Sequence, residues 1–213
     1  MKTDALIDSL SERAAPASAA AMTRTLLLGV GGGVIVSFVL MQVWLGIRPD
    51  LMPAMHTGMY WMKFFYTLLF AVAGFWTLER LSRPGATSRA QMILEALPFA
   101  LIAAFASMKL MMAPMEARMP MLMGSSHQVC PWRIIILSLP VFVGVFWSLR
   151  KAAPTRPMIS GAAAGLLAGA AGAFIYALHC DEHAAAFVAL WYTLGIAAVG
   201  ILGAVVGRFL LRW

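Results

Sequence analysis

Six apolar stretches, each near the length of a membrane-crossing helix, take up most of this chain: Thr25 to Gly46, Met59 to Leu78, Gln91 to Met112, Trp132 to Leu149, Met158 to Leu178 and Ala184 to Val206. Crossing about 30 Å of hydrocarbon takes roughly 20 apolar residues of helix. Lipid offers backbone polar groups no partners, so each stretch is expected as a helix that bonds internally. The fold class that follows is all-α: a polytopic membrane protein, a six-transmembrane-helix bundle. Residues 25–213 form its membrane domain, and residues 1–24 a polar N-terminal segment and tether.

Composition agrees. With 62% hydrophobic and 12% charged residues, and a mean hydropathy of +0.83, the chain lies outside the range of water-soluble domains. Short connectors leave no room for a second folded domain, and no soluble enzyme domain is visible, so an enzyme is not expected. The first stretch follows Asp4, Asp8 and Glu12 and outlasts a signal-peptide core, which marks it as a retained span.

The net charge of +7 raises the question of nucleic acid. The basic residues instead sit in small clusters beside the apolar stretches, the pattern of topology signals rather than of a binding face. Lys2, Arg13 and Arg24, then Arg80, Arg83 and Arg89, then Arg150, Lys151 and Arg156, and last Arg208 and Arg212 fall on one side. The other side has Arg48, Arg118 and Arg133, with Lys63 and Lys109 near helix ends, where long stems are expected to snorkel to water. The positive-inside rule then puts both termini in the cytoplasm. Trp44, Tyr60, Trp61 and Trp132 fit an outer aromatic belt, and Trp76, Trp147 and Trp213 an inner one. Gly161, Gly165 and Gly169 give the fifth stretch a face that a neighbouring helix can approach closely.

All four histidines, His56, His127, His179 and His183, and both cysteines, Cys130 and Cys180, fall in or at the edge of the outward connectors. A helical continuation through His179-Cys180-Asp181-Glu182-His183 would place the two imidazoles on one face beside the thiol. Met111, Met112, Met115, Met119, Met121 and Met123 run up to His127 and Cys130. Thiolate, thioether and imidazole together suit soft ions, so transient Cu, Cd or Zn binding at His127, Cys130, His179, Cys180 and His183 is compatible with the sequence, with no required cofactor. The residues alone leave three states open for the cysteines: a structural disulfide, a metal or redox site, or unpaired thiols. Methionine is also an ordinary apolar filler.

The N-terminal segment is the one appreciable polar stretch. Written as a helix, it carries an apolar stripe of Leu6, Ile7 and Leu10 and an acidic one of Asp4, Asp8 and Glu12, a shape suited to a groove on a partner. A solvated tail is the competing reading.

The opening Met1-Lys2-Thr3-Asp4-Ala5-Leu6-Ile7-Asp8, the run Leu178-His179-Cys180-Asp181-Glu182-His183-Ala184 and the stretch Phe187 to Gly195 together resemble the NrsF family of membrane anti-sigma factors, over essentially the whole chain. The resemblance implies a negative regulator of an extracytoplasmic-function sigma factor related to sigma F, held at the bacterial inner membrane, with no direct nucleic-acid contact. It also implies that Cys130 and Cys180 sense metal or oxidative stress, and that Lys2, Thr3, Asp4, Leu6, Ile7, Asp8 and Leu10 hold the sigma factor. The alternative is a small transporter or binding protein for copper or another soft metal, which calls for ligands through the bundle centre. A thiol oxidoreductase would need an exchanging cysteine pair of the usual relay kind.

Overall fold

The computed structural model describes residues 19–82, 89–152 and 154–212. The chain forms α1 (Ala19–Trp44), a short α2 (Leu51–Met55), α3 (Gly58–Leu81), α4 (Arg89–Met112), α5 (Met115–Met123), α6 (Cys130–Leu149), α7 (Pro157–Tyr176) and α8 (Ala185–Leu210). No strand occurs among the described residues. Six of these, α1, α3, α4, α6, α7 and α8, are long and apolar enough to cross a membrane, one for each expected stretch.

Boundaries differ where local chemistry overrides hydropathy. The sequence places Cys130 in a loop, yet it opens α6, because Pro131 fits the first turn, whose N–H has no helical partner anyway. The connector between α4 and α6 also contains α5, which hydropathy alone does not show; Glu116 in its first turn complements the helix dipole. α1 ends at Trp44, and the φ of +72° at Gly46 lets the Gly46 N–H turn back onto the Met41 carbonyl at 3.0 Å.

Alternating helix directions give the bundle two ends. One collects the C-termini of α1, α4 and α7 with the N-termini of α3, α6 and α8, and so carries both cysteines. The other holds Ala19, the end of α3, Leu149, Pro157 and Leu210. α7 is the central helix, with 72% of its span buried, whereas α4 lies at the edge with 17%. Large apolar side chains such as Leu28, Ile35 and Val43 of α1 face outward, as expected of residues whose solvent is lipid. Trp44, Trp61 and Trp132 are likewise exposed at the cysteine end, but Tyr60, expected in the same belt, is buried.

Glycine sets the close approaches. A Cβ at Gly161 would strike the Gly203 carbonyl, one at Gly165 would strike the Val199 carbonyl, and one at Gly169 would lie 3.0 Å from the Ile196 Cα, so α7 and α8 meet backbone to backbone. α1 meets α6 in the same way at Gly29 against Gly144 and at Gly33 against Val141. Hydroxyls add polar ties inside the bundle: Ser37 Oγ donates to the Leu137 carbonyl, and Ser148 Oγ to the Thr25 carbonyl at 2.9 Å.

Gly203→Ile should therefore force α7 and α8 apart and cost about 1–3 kcal/mol or more by overpacking. Gly31→Ile, at a position with no neighbour within 4 Å, should be nearly silent. Thermal unfolding in nanodiscs reads both, and equal melting of the two variants would sink the backbone-contact account.

Candidate functional site

The two cysteines, distant in sequence, come together at one end of the bundle. Cys130 is fully buried as the first residue of α6, and Cys180 is 2% exposed in the connector between α7 and α8. Both are free thiols, their sulfurs within hydrogen-bonding reach of each other. They share one core with Met41, Tyr176, Phe187 and Tyr192.

The expected helical continuation through His179 to His183 does not form. The Cys180 N–H still donates to the Tyr176 carbonyl at 3.0 Å, after which the chain leaves the helix and reaches Ala184 in an extended conformation. Two buried cations hold it there. Lys63 Nζ donates to the carbonyls of Cys180 at 2.8 Å and Glu182 at 3.0 Å. Arg48 Nη1 donates to the same Cys180 carbonyl at 3.1 Å. Non-helical carbonyls in a buried setting need donors, because water cannot supply them. That need corrects the reading of Lys63 as a snorkelling residue: its side chain is 2% exposed and turned inward.

Arg48 is oriented in turn by Asp50, whose carboxylate accepts from Nε at 2.7 Å and Nη2 at 2.6 Å. The guanidinium hydrogen bond holds the Asp50 carboxyl at about 2, below its usual range. Around Cys180, the hydrogen bond from the Cys130 thiol favours the thiolate; burial opposes it, and the Lys63 ammonium helps, so the thiol lies below its ordinary range.

A carboxylate closes the site from the other side. Glu182 Oε1 accepts from the Ser125 N–H at 2.7 Å, Ser125 Oγ at 2.8 Å, the Ser126 N–H at 2.9 Å and Ser126 Oγ at 3.0 Å. This ties the connector before Cys130 to the one containing Cys180. Burial raises the Glu182 carboxyl, but the Ser125 and Ser126 donors outweigh it and leave the group below its usual value. Gly124, at φ +55°, makes the turn possible, and a Cβ there would lie 2.6 Å from both the Glu182 carboxylate and the Phe187 ring. A π-helical turn at Val188–Tyr192 widens the start of α8. Its Trp191 Nε1 donates to the Leu122 carbonyl at 2.9 Å, and its buried Tyr192 belongs to the same core as the two cysteines.

The histidines point elsewhere. His179 Nδ1 lies 2.9 Å from the Gly46 carbonyl and its Nε2 lies 3.3 Å from Arg133 Nη1. A carbonyl only accepts and a guanidinium only donates, so this ring is the Nδ1–H tautomer with both nitrogens engaged. His183 Nε2 faces Arg48 Nη2 at 3.4 Å, and the His127 ring packs on Trp191 at 5.5 Å. His56 is exposed. Met111, Met112 and Met115 are each at least 78% exposed, away from the thiols. Among the described residues no group of three or more His, Cys, Asp or Glu is arranged to hold a metal ion. Of the five candidate ligands the fold brings together Cys130 and Cys180. Lys2, Thr3, Asp4, Leu6, Ile7, Asp8 and Leu10 lie outside the described residues.

Sequence reasoning did not assign Arg48, Lys63, Glu182 or the Ser125-Ser126 pair a role in the site. One signal did exist for Lys63, since a cation inside an apolar stretch is by default a functional hint.

The pattern of the family described as NrsF, negative regulator of sigma F, matches residues 10–213. The chain is 42% identical to the anti-sigma-F factor NrsF of Caulobacter vibrioides and 37% identical to the probable anti-sigma-F factor NrsF of Azospira oryzae, each covering 100% of both chains. No solved structure matches it.

Glu182→Gln should weaken the tie between the two connectors by about 1 kcal/mol, a charge-assisted bond discounted for partial exposure. Because the folded carboxyl lies below its ordinary value, its contribution is full above the ordinary range near about 4.3. It is lost as pH falls through the folded value. Melting temperatures of wild type and Glu182→Gln should thus differ at neutral pH and converge in acid; a difference that persists in acid would assign the effect to packing.

Proposed function

The chain belongs to the NrsF family of negative regulators of sigma F, and from that premise we propose a membrane-bound anti-sigma factor switched by its own cysteine pair. It sequesters a sigma factor of the sigma F kind, of the extracytoplasmic-function class, at the bacterial inner membrane. The end rich in Arg24, Arg80, Arg89, Arg150, Lys151 and Arg208 faces the cytoplasm. The N-terminal segment from Lys2 to Leu10 contacts the sigma factor there, and the cysteine end faces the periplasm.

One observation carries the switch: Cys130 and Cys180, brought from different connectors, meet with free thiols inside a knot of buried polar bonds. A hydroperoxide supplies a balanced reaction. The Cys180 thiolate attacks one peroxide oxygen, hydroxide leaves and is protonated, and the Cys130 thiol then displaces water from the resulting sulfenic acid. Two thiols and one hydrogen peroxide give one disulfide and two waters. A soft ion such as Cd(II) offers the second trigger, replacing two thiol protons with two metal–sulfur bonds. A full swing from held to released takes about 5.5 kcal/mol of preference for the release state. The transport alternative lacks support at the bundle centre, where α7 presents Ala164, Gly165, Ala168 and Gly169, none of them a ligand.

Retention of a sigma F-type factor by the full-length protein in nanodiscs tests this. Wild type should hold it and release it at least 10-fold faster with hydrogen peroxide or Cd(II). Cys130→Ser with Cys180→Ser should hold it and ignore both agents, and a chain lacking residues 1–13 should not hold it. If the double mutant responds like wild type, the cysteine switch is wrong; if no version binds the sigma factor, the sequestration reading fails.

A further inference from the structure

The bonds that fix Cys180 also fasten it to one particular helix. Leu178, His179 and Cys180 each bond to the residues just after α1. The Arg48 N–H donates to the Leu178 carbonyl at 3.2 Å. His179 Nδ1–H donates to the Gly46 carbonyl at 2.9 Å, and Arg48 Nη1 donates to the Cys180 carbonyl at 3.1 Å. Because Asp50 takes up Nε and Nη2, the guanidinium is held as a rigid fork with Nη1 left for the Cys180 peptide. Arg48 is 4% exposed, so water is poorly placed to replace a lost bond.

α1 is also seated on the helix that begins with the other cysteine. Gly29 against Gly144, Gly33 against Val141 and Ser37 on the Leu137 carbonyl hold it to α6 along its length. It is therefore linked to both partners of the thiol pair, to Cys180 through the hydrogen bonds of Gly46 and Arg48 just beyond its end and to Cys130 through its packing on α6. α3 is bonded to the same carbonyl through Lys63, but its far end runs into the connector toward α4. α1 alone continues, in sequence, into residues 1–18. Its 26 residues span about 39 Å as a continuous helix.

We propose that Arg48 is the positioning residue that couples the Cys130–Cys180 site to α1, and that α1 transmits the state of that site to the opposite end of the bundle. This rests on the cysteine-switch reading above. Any new bond to the Cys180 sulfur turns the adjacent peptide, and that peptide carries the carbonyl held by Arg48. Arg48 carries that turn into residues 46–48, pulls its own N–H off the Leu178 carbonyl and shifts the end of α1 on α6; without the Arg48 side chain the peptide turns alone and α1 stays seated on its glycine seam. A side chain that serves only to stabilise the fold would not separate the chemistry at sulfur from its consequence.

The test uses full-length protein in nanodiscs with a bound sigma F-type factor. It reads thiol state by maleimide mass-tagging and sigma release in the same samples, with hydrogen peroxide and Cd(II) as parallel triggers. Arg48→Gln should hold the sigma factor at rest and, compared at the same extent of thiol loss as wild type, release the factor at least 10-fold less. Asp50→Asn, which loosens the fork without removing it, should fall between the two. Release by Arg48→Gln at the wild-type level once its thiols have reacted overturns the coupling. Wild-type thiols that react without release overturn the cysteine switch itself, a distinguishable failure. Hydrogen exchange on wild type needs no variant: the Arg48 amide should lose protection at least 10-fold when the thiols react, and unchanged protection counts against the proposal even if Arg48→Gln does not fold.

Discussion

Backbone-to-backbone contact is the constraint on which the bundle depends. In hydrocarbon, helices gain little from burying one another's apolar side chains, since the lipid is equally apolar; what remains is close packing and internal polar bonds. α7 meets that demand with a surface of glycine and alanine, and α8 answers with Val199, Gly200, Gly203 and Gly207 at the points of contact. α1 and α6 repeat the arrangement at Gly29, Gly33 and Gly144. These seams set how closely the helices lie, and so how near the ends that carry Cys130 and Cys180 come to each other.

A second economy governs the cysteine end. The connector around Cys180 leaves the helix inside a buried core, which would strand its carbonyls. Lys63 and Arg48 supply the missing donors, while Glu182 gathers four donors from Ser125 and Ser126. Two cations drawn inward and one anion facing two serines form a polar knot at the cysteine end of the bundle. Such a knot is costly to disturb, which makes it suited to holding one arrangement until a chemical change forces another.

Hydropathy was enough to place all six long helices, because an apolar run of that length has no other stable form in lipid. The gathering of both cysteines at one end followed from the same alternation. Their contact did not follow, since spacing along the chain says nothing about which connectors touch. The helical reading of residues 179–183 failed for a specific reason: Lys63 and Arg48, remote in sequence, satisfy carbonyls that a helix would otherwise use. α5 escaped notice because Pro120, Glu116 and Arg118 mask its helical period. Of the NrsF-type recognition, the motif around Cys180 lies inside the observed site, whereas the N-terminal motif lies outside the described residues.

Burial of the thiols shapes the kinetics of any chemistry there. With Cys130 fully covered and Cys180 2% exposed, a reagent meets sulfur only after the covering residues move aside, and bulky thiols such as glutathione face the steepest obstacle. Once opening is slower than the reaction that follows it, more reagent no longer means a faster response. The site then acts as a timer with a ceiling: its rate is set by how often the residues packed over sulfur part, and a product formed beneath them persists long after the agent that made it has been diluted away.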